Sequence, residues 1–180
     1  VGSAIRSVSI ASDGSLVVAA NSTGTCYVWK LRRGAKTTAH FEPLHKLNAH
    51  PNAYVLKCLL SPDCRLLATT SSDKTVKLWD IRSPRTELAT IAGHQYAVRR
   101  VRCDPWNERV VYTCSYDMTV AMWDYEMCAS AGPGPAAAQP LRRWGHHSEF
   151  AVGLDASVLA DGVVGSCGWD EQVAVWHRDG

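Results

Sequence analysis

The chain has 180 residues, 46% hydrophobic and 20% charged, with a formal net charge of +2. That composition describes a globular protein and excludes a disordered one. So small a charge gives no basis for nucleic acid or an anionic membrane as partner, and no apolar run nears the roughly 18 residues of a membrane span.

Taken in chain order, the start Val1-Gly2-Ser3-Ala4 lacks an initiator Met, a basic segment and an apolar segment, so it reads as mid-domain sequence rather than a signal peptide. The first unit, 1–48, carries the phrase Cys26-Tyr27-Val28-Trp29 and a short strand over 43–47. The second, 49–92, opens on His50 and continues with a strand-like run over 54–60 and a turn at Ser61-Pro62-Asp63. A strand over 66–70, a tight turn at Asp73, a strand ending at Trp79 and a last strand over 87–91 complete it. The third, 93–145, repeats the order: His94, strands over 98–103 and 110–115, Asp117, Trp123, an Ala/Pro/Gly-rich flexible loop over 129–140 and a strand over 140–144. The fourth, 146–180, holds His147, Asp170 and Trp176.

Spacing makes these units repeats. His50, His94 and His147 each precede an aspartate, Asp73, Asp117 and Asp170, by 23 residues, and each aspartate precedes its tryptophan by 6. The tryptophan-to-tryptophan spacing varies from 44 to 53. A fixed inner interval inside a variable outer one predicts a rigid all-β unit whose outer loops absorb the length changes. The 7 cysteines contain no C-x-x-C pair. An odd number predicts free thiols, mostly small buried hydrophobes in a reducing compartment, with no metal site.

With its His start and Trp-Asp finish (Trp79-Asp80 and Trp123-Asp124), the chain resembles the WD-repeat family. The resemblance implies a β-propeller with about four blades, over 1–48, 49–92, 93–145 and 146–180. It also implies a hydrogen-bonded tetrad in each blade: His50, Ser71, Asp73 and Trp79 in the second, His94, Ser115, Asp117 and Trp123 in the third. In the fourth, Gly168 stands at the hydroxyl position beside His147, Asp170 and Trp176, so the tetrad is expected to be incomplete; in the first, Thr23 stands at the Asp position. Histidine, serine and aspartate are also the types of a hydrolase triad. Their recurrence at fixed spacing, without a G-x-S-x-G elbow or phosphate loop, points to structure instead, so no catalytic residue or cofactor is expected. Three blades read as nearly complete and the fourth stops short of its last strand. The expectation is therefore a partial propeller: a fragment, an incomplete gene model, or a chain that closes with another copy or a partner.

The two halves resemble different WD proteins. Segments such as Gly24-Thr25-Cys26-Tyr27-Val28-Trp29 and Phe41-Glu42-Pro43-Leu44-His45-Lys46-Leu47, within residues 5–80, resemble the small G-protein-β-like subunit of TOR kinase complexes. Residues 82–177 are similar to the receptor for the type-2 peroxisomal targeting signal, through His147-Ser148-Glu149-Phe150 and Gly168-Trp169-Asp170-Glu171 among other words. A seam is expected near 80–85, just past the shared phrase Val76-Lys77-Leu78-Trp79-Asp80.

The receptor resemblance implies a non-enzymatic cytoplasmic adaptor that recognises a basic helical targeting signal, works with an import co-receptor and cycles to the peroxisome. The other resemblance implies a scaffold subunit of a TOR kinase complex, and a third reading is an inactive fragment or fused gene model. Loops after each His and turns at each Asp share one face of a propeller, so Tyr96, Tyr116, Glu149, Trp169 and Glu171 are the candidate peptide-binding residues. The bland use of Trp169 is packing between blades, and that of the glutamates is solvation of the rim. Alternation along the strand divides Arg99, Arg100 and Arg102 between two faces, with one inter-blade ion pair expected.

Overall fold

A computed structural model describes residues 3–33, 39–130 and 139–180. Four antiparallel sheets follow one another along the chain. The first contains β1 (Ile5–Ile10), β2 (Leu16–Asn21), β3 (Thr25–Arg33) and β4 (Ala39–Asn48). The second contains β5 (Val55–Leu60), β6 (Leu66–Ser71), β7 (Thr75–Asp80) and β8 (Ala89–Ala92). The third runs β9 (Val98–Cys103), β10 (Val110–Ser115), β11 (Val120–Asp124) and β12 (Arg142–Trp144). In the fourth, the described residues form three strands: β13 (Ala151–Ala156), β14 (Val163–Gly168) and β15 (Val173–His177).

Strand order equals chain order in every sheet, so each is a meander built from hairpins. The first strands stand side by side, β1 against β5, β5 against β9 and β9 against β13, while the sheets fan outward from them. Among the described residues this is an open arc of propeller blades, whose four sheets do not close into a ring.

Hydrophobic burial sits between the sheets. One cluster joins Val18, Val28, Leu67 and Trp79 across the first two, and a second joins Leu78, Ile91, Val111 and Trp123 across the next two. The third joins Tyr112, Met122, Leu154 and Val164, with Trp144 and Trp176 packed against it. Every residue of β6 and β10 is buried, because a neighbouring blade covers each face. That double cover explains why Leu66-Leu67-Ala68-Thr69-Thr70-Ser71 shows no polar alternation.

A polar tie supplements the last seam. Buried Asp104, which accepts the Tyr112 hydroxyl at 2.6 Å, meets the Arg178 guanidinium at 2.9 Å, and Arg178 also pairs with Asp161 at 2.9 Å. The cysteines are all free, and burial pushes the Cys103 and Cys114 thiols up to about 12, leaving them unreactive near neutrality.

Element boundaries differ most from the sequence reading at β4, β8, β12 and the start of the expected loop. β4 runs from Ala39 to Asn48, longer than the expected 43–47, and a register shift between Val28 and Trp29 lets Pro43 lie opposite Trp29. Proline cannot donate to a ladder, and an outer strand with a bulge tolerates it. β8 and β12 start later than expected, at Ala89 and Arg142. A six-residue helix, α1 (Tyr125–Ser130), occupies the start of the expected loop, so Ala129 and Ser130 are helical. The Asp124 carboxylate caps it by accepting from the Glu126 and Met127 amides, at 2.9 and 3.2 Å. Residues 131–138 of that expected loop lie outside the described ones.

Candidate functional site

The histidines, Tyr96 and Glu149 lie where the chain passes from one sheet to the next, and the aspartates, Tyr116, Trp169 and Glu171 lie in the turn between the second and third strands of a sheet. In the second sheet the Trp79 indole N–H donates to Thr69 Oγ1 at 3.1 Å, and Thr69 Oγ1 lies 2.9 Å from His50 Nε2. His50 Nδ1 then meets Asp73 Oδ2 at 2.8 Å. The third sheet repeats this: Trp123 to Thr113 at 2.8 Å, Thr113 to His94 at 2.7 Å, His94 to Asp117 at 2.8 Å. One proton assignment satisfies every group: indole to hydroxyl, hydroxyl to Nε2, Nδ1–H to carboxylate.

The hydroxyl is therefore Thr69 and Thr113, not the expected Ser71 and Ser115. Residues two apart share a strand face, so the pattern alone cannot choose between them. Geometry does. Trp79 lies opposite Leu67, which puts Thr69 on the near diagonal and Ser71 one pair too far. Ser71 and Ser115 instead accept the amides of Asp73 and Asp117, both at 3.1 Å, and so shape the turn.

In the fourth sheet the expected gap also moves. Ser166 supplies a hydroxyl 2.7 Å from His147 Nε2, and His147 Nδ1 lies 3.0 Å from Asp170 Oδ2. The missing link is at the other end. Trp176 Nε1 is buried without a hydrogen-bond partner, its indole packed on Trp144 and His146 with centroids at 5.4 and 4.8 Å. Gly168 has its own use, because a Cβ there would come within 2.7 Å of His147 Nδ1. In the first sheet Asn21 shapes the turn, its Oδ1 accepting from Thr23 N, Thr23 Oγ1 and Thr25 N.

Burial alone would raise the Asp73 and Asp117 carboxyls. The hydrogen bond from the histidine, with bonds from Thr75 and Thr119 respectively, outweighs it and holds both well below the usual carboxylate range. The carboxylate–histidine–hydroxyl order is that of a hydrolase triad, but here the hydroxyls of Thr69, Thr113 and Ser166 are buried within the sheets, where no substrate could meet them.

The tetrads fix the turns that carry the exposed residues. After each aspartate the chain takes a left-handed residue, Lys74 (φ 73°), Met118 (φ 69°) and Glu171 (φ 62°). Side chains other than Gly pay roughly 1 kcal/mol or more for that conformation, so these positions favour a displayed side chain over relaxed backbone. Tyr96 and Trp169 are 60% and 63% exposed, and Glu149 and Glu171 are exposed as well.

Of the five candidates, the structure brings Tyr116 and Trp169 together. Phe150, a residue that sequence reasoning left out of the site, sits between them. Phe150 stacks on Tyr116 at 4.8 Å and meets Trp169 at 5.0 Å, while Tyr116 and Trp169 are 6.3 Å apart. Glu149 and Glu171 flank this trio in the chain. Tyr96 stands apart, at the seam of the second and third sheets under the Lys74 ammonium at 5.9 Å. Arg143, also unanticipated, reaches Thr119 Oγ1 and the Gly93 carbonyl at 3.0 and 2.9 Å. Among the described residues no cluster of His, Cys, Asp and Glu could hold a metal ion, and no helix is long and apolar enough to cross a membrane.

Comparison with known proteins gives the same repeat. The family described as "WD domain, G-beta repeat" matches residues 2–30, 41–80 and 85–124. A target of rapamycin complex subunit from Arabidopsis thaliana, LST8-1, is 56% identical over 95 residues, 53% of this chain and 30% of the relative. Peroxisome biogenesis protein 7 of the same plant is 43% identical over 96 residues, 53% of this chain and 27% of the relative. The mouse peroxisomal targeting signal 2 receptor is 36% identical over 95 residues, 53% of this chain and 27% of the relative. The chain thus spans under a third of the length of each of these curated relatives.

Proposed function

The chain belongs to the WD-domain, G-beta-repeat family, and from that premise we propose a non-enzymatic adaptor that binds a basic, amphipathic helical targeting signal. Two relatives are named for the peroxisome, one of them as a receptor for targeting signal 2. The observation that carries the proposal is the Tyr116–Phe150–Trp169 trio with exposed Glu149 and Glu171 beside it. Clustered aromatics bury the apolar stripe of a helix, and carboxylates at their edge select lysine or arginine on its flanks. Tyr96 extends the surface toward the second sheet. In this reading the chain works in the cytoplasm with an import co-receptor and cycles to the peroxisome.

A reporter protein carrying a type-2 signal should be retained by the immobilised chain, and W169A/E171Q should lose most of that retention. Equal retention by both would end the proposal. A second reading, a scaffold subunit of a TOR kinase complex, is supported by the identity to LST8-1; co-purification of TOR kinase with the chain is its test. Both readings fit a mosaic joined near 80–85, where the shared phrase keeps the blade register. One continuous native transcript across the codons for Trp79 to Arg85 is the expected result, and two separate transcripts would refute the mosaic.

A further inference from the structure

The inner edge of the arc carries a concentration of positive charge that neither the tetrads nor the aromatic face uses. Lys57 on β5 and Arg99, Arg100 and Arg102 on β9 occupy neighbouring first strands, and all four side chains are half-buried. They divide between two sides as alternation requires. Arg99 reaches back to the Leu56 carbonyl, while Arg100 reaches forward to the Val152 carbonyl, both at 3.4 Å. Arg102 pairs with Asp155 at 3.1 Å, the expected inter-blade ion pair.

The charges do not balance. Among the described residues the one carboxylate in ion-pair contact with these cations is Asp155, its side chain 76% exposed. The two carbonyl contacts are long, at the outer limit of a hydrogen bond, and leave most of each guanidinium's five N–H groups unused. Burial lowers the Lys57 pKa, and Arg100, Arg102 and Arg99 lower it further, so the group is crowded by its own kind. Cations meant only for solubility sit where water can screen them. Here they sit half-buried on adjacent first strands, where an incoming anion would relieve the repulsion and find unused guanidinium donors.

We propose that the inner edge of the second and third sheets, through Lys57, Arg99, Arg100 and Arg102, binds an anion bearing two or more phosphate groups. Such phosphates are carried by a phosphorylated protein segment or by a free polyphosphate. The site is separate from the aromatic face and does not depend on the peptide-binding proposal.

Isothermal titration of the chain with inorganic tripolyphosphate, a doubly phosphorylated serine peptide and its unphosphorylated counterpart tests this. At least one phosphate-bearing probe should bind and the unphosphorylated peptide should not. K57Q/R100Q should weaken binding by about tenfold or more, whereas K30Q, on an exposed outer position, should leave it unchanged. Tighter binding of the phosphopeptide identifies a protein segment as the source, and tighter binding of tripolyphosphate a free anion. In the unsubstituted protein, the bound probe should also protect Lys57, and not Lys30, from acetylation by an amine-reactive ester. Absence of binding by both phosphate probes, equal loss in K57Q/R100Q and K30Q, or unprotected Lys57 would each overturn the proposal.

Discussion

The third and fourth sheets carry the same four positions and use them differently. In the third, Trp123 is fully buried, its indole bonded to Thr113; in the fourth, Trp176 is half-buried, its buried indole nitrogen unpaired. Both histidines are held alike, by hydroxyl and carboxylate. What differs is the outer half of the sheet. β12 pairs with β11 beside Trp123, whereas β15 has no outer neighbour among the described residues. Among the described residues the inner part of the tetrad forms in both sheets, and the tryptophan link forms in the one with a fourth strand.

That comparison can be broken by substitution. Thr113→Val leaves two buried partners, His94 Nε2 and Trp123 Nε1, without their shared oxygen, and should cost about 3 kcal/mol in urea unfolding. Ser166→Ala strands only His147 and should cost about 1 kcal/mol; equal costs would show that the two tetrads are energetically alike. Trp123→Phe should lose about 2 kcal/mol through lost packing and the lost bond to Thr113, and Trp176→Phe under about 1 kcal/mol, since its N–H has nothing to give up.

Acid sharpens the comparison. Folding holds Asp73 and Asp117 below their ordinary 3.8. Their stabilisation is therefore complete above 3.8 and is lost as pH falls through the lowered folded values, because the unfolded chain binds more protons there. Asp117→Asn should lower the urea midpoint at neutral pH and flatten its decline below 3.8; an unchanged slope would refute the linkage. The smallest effect is expected at the turn, where Glu171→Gly should gain up to about 1 kcal/mol by accommodating the left-handed backbone. The same change should weaken peptide binding, a loss measurable by titration.

How much of this was legible depends on what each residue does. The fixed 23-residue interval between His and Asp could be read because both ends are pinned to one hydrogen bond. Thr69 and Thr113 could not be told from Ser71 and Ser115, since both choices share a strand face and only the diagonal reach of the indole separates them. α1 escaped because six residues show too little periodicity, although Asp124 ahead of Glu126 is a cap signal. Phe150 stood in a distinctive phrase without a role of its own; its place between Tyr116 and Trp169 depends on two sheets meeting, which local sequence does not encode.

The most direct test of the account is a fluorescence-anisotropy titration of a labelled basic amphipathic helical peptide against the chain and against W169A/E171Q. The account expects saturable binding that weakens at least about tenfold in the variant, with the variant's unfolding midpoint unchanged. Equal affinity for both proteins, or equal affinity for a peptide with its basic residues reversed to acidic, would contradict it.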